Sequence, residues 1–81
     1  LSRGLFAARD RATAGERDAA ALVAVATAEV AAGVDGIDYV ELRDADTLAP
    51  ITRLERPAVM LVAAFVGTTR LIDNVRISPS S

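Results

Sequence analysis

Between Pro57 and Gly67 the chain runs through nine apolar residues, AVMLVAAFV. No other feature constrains the fold as tightly. Val59, Leu61, Ala63 and Phe65 stand at one parity, and Met60, Val62, Ala64 and Val66 at the other. Successive side chains of a strand point to opposite faces. A run that is apolar at both parities therefore predicts a central strand covered on both sides. Phe65 reads as core, or as interface if the second cover comes from outside the chain. The run is far shorter than the roughly twenty residues a membrane helix needs, so it predicts no span.

A second strand follows. Leu71, Val75 and Ile77 alternate with Ile72, Asn74 and Arg76, which predicts a half-exposed strand over 71–77. The link Gly67-Thr68-Thr69, three or four residues with a glycine, predicts a hairpin loop. Glycine supplies the positive φ such a loop wants, and threonine hydroxyls bond local backbone. As a phosphate cradle the link lacks further glycines, a lysine and a following helix. Arg70 and Asp73 are three apart and point to opposite faces. Arg70, Asn74 and Arg76 share the half-exposed face. Two arginines and an amide there suit an anion or a carboxylate-bearing partner, and equally suit a solvated surface.

Upstream, Leu1, Leu5, Ala8 and Ala12 mark one stripe of a helix over 1–14. Gly4 inside it costs roughly 1 kcal/mol relative to alanine. Gly15 is a natural stop, and Asp18 is placed to cap the next helix with its carboxylate. Alanine dominates 19–32, where Ala19, Leu22, Val23, Ala26 and Val30 form the apolar stripe and Gly33 ends it. The short link predicts an antiparallel helix pair. Val34-Asp35-Gly36 is a turn signal, and Ile37–Arg43 reads as a strand. Period two puts Asp38, Val40 and Leu42 on one face and Ile37, Tyr39, Glu41 and Arg43 on the other. Residues 45–56 connect, with Asp46 or Thr47 capping one helical turn, Pro50 closing it, and Leu48, Ile51 and Leu54 pinned to the core. Residues 78–81 read as a frayed tail. The expected fold is α+β, in the order ααβββ: two N-terminal helices on a small three-stranded antiparallel sheet, one domain over residues 1–77.

Composition narrows the chemistry. Eighty-one residues make one domain that buries about 60–65% of its unfolded surface. The nine basic residues are all arginine, and the net charge is −2. Such a balance argues against a nucleic-acid surface. With no histidine, no side chain titrates near neutrality unperturbed. With no lysine there is no Schiff base and no P-loop lysine. With no cysteine there is no thiolate metal site, which fits a cytoplasmic protein. The pairs Asp35/Asp38 and Asp44/Asp46 fit no hard-cation loop and suit turns and caps instead. The chain opens mid-pattern at Leu1, as a fragment of something longer is expected to do.

DYVELRD (38–44), TLAPI (47–51) and VAAFVGTTRLIDN (62–74) occur in that order. The series resembles the C-terminal domain of pantothenate synthetase, the pantoate–β-alanine ligase family. LSRGLFAARDRATAGERDAAAL before it is similar to the family's paired helices. The resemblance implies an ATP-dependent enzyme that joins pantoate and β-alanine through a pantoyl-adenylate. ATP and Mg are implied for the full-length enzyme, with none bound by this chain alone. An N-terminal nucleotide-binding domain of the same protein is the implied partner, and the small C-terminal domain is a lid over its cleft. The family's catalytic motifs lie upstream, so no catalytic residue carries over, and the chain alone is expected to be inactive. Leu1-Ser2-Arg3 belongs to the first helix and not to the family's Ser-Arg hinge. Thr68, Thr69, Arg70, Asn74 and Arg76 are the candidates to face the cleft. Phe65 stands where the family pattern leads one to expect a basic or polar residue. Without its partner domain, exposed apolar surface favours self-association. The alternative is a free-standing interaction or small-ligand domain that shares the fold without the reaction.

Overall fold

The computed structural model describes residues 1–79. Its elements are α1 (Ser2–Thr13), α2 (Ala19–Ala31), β1 (Gly36–Asp44), β2 (Ala58–Val66) and β3 (Thr69–Ile77). The strands form one antiparallel sheet in the order β1-β2-β3, as the apolar run predicts for its own strand. Gly4 near the start of α1 abuts Ala26 and Val30 near the end of α2, so the helices run antiparallel. Both pack on one face of the sheet. Leu5, Ala8, Ala12, Leu22, Ala26 and Val30 meet Leu42, Met60, Val62, Ala64 and Ile77 there, with Leu54 from the connection beneath. Ala-rich stripes let the helices sit close to each other and to the sheet.

Helix limits follow local chemistry only in part. Gly15 lies past the end of α1 at φ +117, where a side chain is disfavoured. Asp18 is the N-cap of α2, but its carboxylate makes no capping bond. The Ala19 amide donates instead to the Thr52 carbonyl, and the Leu54 amide donates to the Arg17 carbonyl. The connection thus docks against the start of α2 and satisfies a helix amide through the backbone, a non-local solution invisible to a local capping rule.

β1 departs from simple alternation. Ile37 pairs with Ala64 and Tyr39 with Ala63, so Asp38 is the extra residue of a bulge. The bulge switches Ile37 to the helix side, where it packs on the core with Val40, and it frees Asp38 to solvent. Period two alone places Ile37 opposite Val40 and Asp38 beside it; one inserted residue reverses both assignments.

The connection also differs from expectation. Its cap is Asp44, whose Oδ1 accepts from the Asp46 and Thr47 amides at 2.8 and 3.0 Å. Neither Asp46 nor Thr47 starts the turn. Arg56 Nη2 donates to Asp44 Oδ2 at 2.9 Å. The Thr47 and Asp46 amides, with help from Arg56, hold this buried carboxyl below the ordinary 3.8, against an opposing push from desolvation. The turn ends with Leu48 at φ +61, which throws its side chain outward. Leu54 and Ile51 do reach the core; Leu48 does not.

The hairpin is tighter than expected. Val66 pairs with Thr69, leaving only Gly67 and Thr68 in the loop. Gly67 has φ +61 and Thr68 does not, the pattern of a type II′ turn, whose twist suits a two-residue hairpin. Of the expected tail, Ser78 and Pro79 belong to no element, and residues 80 and 81 lie outside the described residues.

Candidate functional site on the open sheet face

The register fixes which residues share the face turned away from the helices. Across β1, β2 and β3 they form rows: Arg43, Val59 and Arg76; Glu41, Leu61 and Asn74; Tyr39, Ala63 and Ile72; Gly36, Phe65 and Arg70. The middle column is wholly apolar, and the outer columns are mostly polar. Val59 and Leu61 are half-buried and Ala63 is buried, shielded by neighbouring side chains, while Phe65 and Ile72 are exposed. The cover expected on both sides of β2 is therefore found on one side among the described residues. The helices end before the hairpin does, so Val66 and Leu71 are exposed even on the helix-side parity.

Each sequence-predicted site residue can now be placed. Arg70, Asn74 and Arg76 share the open face, as alternation predicts. Arg70 and Arg76 stand six residues apart, about 20 Å along the strand, so their backbones do not gather them on one small ligand. Thr68 sits in the loop, and Thr69 pairs at the opposite parity from Arg70. The five candidates therefore form a line from tip to base along β3.

Arg70 is the best-defined of them. Its Nη2 and Nε donate to Asp38 Oδ2 at 2.9 and 3.2 Å, across the width of the sheet. Its guanidinium carbon lies 6.0 Å from the centre of the Tyr39 ring, within cation–π range. Both partners are about 44% and 43% exposed, so the pair contributes little stability and mainly fixes a direction. Arg43 donates to Glu41 through Nε and Nη2, and through Nη1 to the Leu48 carbonyl. Arg76 makes no ion pair among the described residues.

Two residues that the sequence places in a turn, Asp35, and on the helix-side face of a strand, Asp38, prove to hold the tip. Asp35 Oδ2 accepts from the Gly67 amide at 2.5 Å, and the Asp35 amide donates to the Phe65 carbonyl at 2.8 Å. Asp38 holds Arg70. An Asp-Gly turn signal was legible at 35–36; its partners 32 residues away were not.

Chemically, the face offers guanidinium groups, an amide and hydroxyls around an apolar strip. No group of three acidic side chains gathers to hold a metal ion among the described residues. Among the described residues the threonine hydroxyls that hydrogen-bond do so with backbone groups and not with a base, whereas nucleophilic catalysis requires an adjacent base. The arrangement suits docking and the orientation of anions. No described helix is long and apolar enough to cross a membrane.

Comparison with known proteins agrees with this layout. The sequence profile of the pantoate-beta-alanine ligase family matches residues 1–76. The pantothenate synthetase of Anaeromyxobacter dehalogenans is 53% identical over 77 residues, which are 95% of this chain and 27% of that protein. Pantothenate synthetase 1 of Bradyrhizobium diazoefficiens is 52% identical, over 96% of this chain and 28% of its own length. The crystal structure of pantothenate synthetase from Thermus thermophilus superposes with a TM-score of 0.86 at 29% identity, covering 98% of this chain and 29% of the other. The chain thus spans between a quarter and a third of the length of these relatives. Its sequence and its fold agree: the chain belongs to the pantoate–β-alanine ligase family.

Proposed function

We propose that this chain is the C-terminal lid of an ATP-dependent ligase of the cytoplasm. The whole enzyme condenses pantoate with β-alanine to pantothenate through a pantoyl-adenylate. The lid closes over a cleft in the nucleotide-binding part of the polypeptide, excludes water and protects the reactive acyl-adenylate from hydrolysis. The observation that carries the reading is the open sheet face. A central strand apolar on both sides, with a helical layer over only one of them among the described residues, is flanked on the other by Arg70, Asn74 and Arg76. Apolar middle and polar rim is the anatomy of a surface that docks.

In this reading the described residues of this chain hold neither ATP nor Mg. No three carboxylates converge among the described residues, and Arg70 already has a counter-ion in Asp38. ATP and Mg are assigned to the nucleotide-binding part, and no step of the reaction is routed through this chain's side chains. Its contribution is closure and orientation.

The test is an amide NMR titration of the chain with ATP, pantoate and β-alanine, alongside a turnover assay. The reading predicts no saturable shifts and no pantothenate. Saturable shifts at 68–74 with one ligand would mean that the tip is a binding site in its own right. Sustained turnover would contradict the reading outright.

A further inference from the structure

We infer that Asp35 and Asp38 are positioning residues that brace the hairpin tip, fixing where Gly67–Arg70 point. The inference deepens the lid reading, on which its functional arm rests. The hairpin runs beyond the helical layer: Phe65, Val66, Leu71 and Ile72 are 36%, 45%, 38% and 61% exposed. Burial therefore cannot fix the tip, and a strand end with few apolar contacts is where local opening is cheapest. Two carboxylates from one short segment take over that task.

Asp35 clamps the second strand of the sheet at the loop. Its amide donates to the Phe65 carbonyl, and its Oδ2 accepts the Gly67 amide at 2.5 Å, so one residue holds both sides of Val66. A carboxylate accepting a backbone amide makes a stronger hydrogen bond than a neutral acceptor does. Asp38 fixes the opposite strand through Arg70. The bulge is what makes this reach available. Without the extra residue, Asp38 would take the helix-side parity with Val40, and its carboxylate would face the core. The bulge thus exports a charge from the core side to the open face and aims it at Arg70. The resulting line, Asp38 to Arg70 over the central strand with Tyr39 beneath, holds the guanidinium across the open face instead of letting it trail in solvent.

The test combines dynamics with kinetics. Asp35→Asn, Asp38→Asn and Asp38→Glu are made in the 81-residue chain, and 15N relaxation is measured per residue. Asp35→Asn and Asp38→Asn are expected to keep the core amides rigid and to lower the heteronuclear NOE at 67–70; Asp38→Glu restores order at Arg70. The same variants are then placed in a chimaera that joins this chain to the remaining portion of a relative. There the two asparagine variants are expected to lower kcat for pantothenate formation about 10-fold while KM for ATP holds, as misplaced groups do. Tips as rigid in both asparagine variants as in the parent overturn the inference. A loosened tip with unchanged kcat keeps the brace and instead refutes the reading that aims the tip at the cleft.

Discussion

Gly4 meets Val30 where the two helices cross, with no room for a side chain between them. A Cβ on residue 4 would lie 2.6 Å from Val30 Cγ2 and 2.9 Å from the Ala26 carbonyl oxygen. Propensity alone favours Gly4→Ala by about 1 kcal/mol. The side-chain contact can relax, but the carbonyl belongs to the α2 backbone, and overpacking costs about 1–3 kcal/mol. Gly4→Ala is expected to lower stability by up to about 2 kcal/mol in urea unfolding. A gain in stability would show that the crossing is looser than described.

The elements themselves were legible because their signals are local. Stripes at spacings of three and four gave α1 and α2, and the two-parity run gave β2 as the central strand. What failed needed partners distant in sequence. Gly4 reads as a flaw in a helix until α2 is laid against it. Asp38 reads as a helix-side strand residue until the register of β1 on β2 exposes the bulge. Asp44 caps two amides that lie two and three residues ahead, so a search centred on Asp46 and Thr47 misses it by the length of its own reach. On the open face, alternation places Arg70, Asn74 and Arg76 together as the register has them, and it gives no sign of the bonds from Asp35 and Asp38 to the hairpin.

The two faces of the sheet should respond differently to truncation. Met60 is buried against the helices, whereas Ile72 is 61% exposed on the open face. Met60→Ala is expected to cost about 2–5 kcal/mol. Ile72→Ala should stay within about 0.5 kcal/mol, since an exposed side chain loses little by truncation. Thermal melts of the two variants decide this, and equal losses would mean that the open face is covered in solution, as a self-associating chain would cover it.

At the hairpin, Gly67→Ala meets no neighbour within 4 Å, so its cost is purely that of positive φ. The expected loss is about 1–2 kcal/mol. Gly33→Ala is the control: no neighbour and no positive φ, and so a change within about 0.5 kcal/mol. Chemical denaturation of both variants separates backbone strain from general sensitivity to added methyl groups.

Acid should weaken the fold through Asp44. Its carboxyl is held below 3.8 in the folded state, chiefly by the Thr47 and Asp46 amides. The unfolded chain therefore binds the proton more readily than the folded one. The contribution is complete above the ordinary value and is lost as pH falls through the folded-state value. Urea midpoints of the parent should drop between pH 5 and pH 2, about the range over which a depressed carboxylate titrates. Asp44→Asn should flatten part of that drop. Parallel curves for the two would remove Asp44 from the account.

The central claim is that this chain supplies closure to a catalytic apparatus held elsewhere in the polypeptide. The most direct measurement joins it to the portion of the Anaeromyxobacter relative that lies outside the matched region. Pantothenate formation is then compared with that portion alone, after both are shown to be folded. The account predicts that the joined protein makes pantothenate and that neither piece does so efficiently by itself. A folded chimaera no more active than the truncated relative would contradict it.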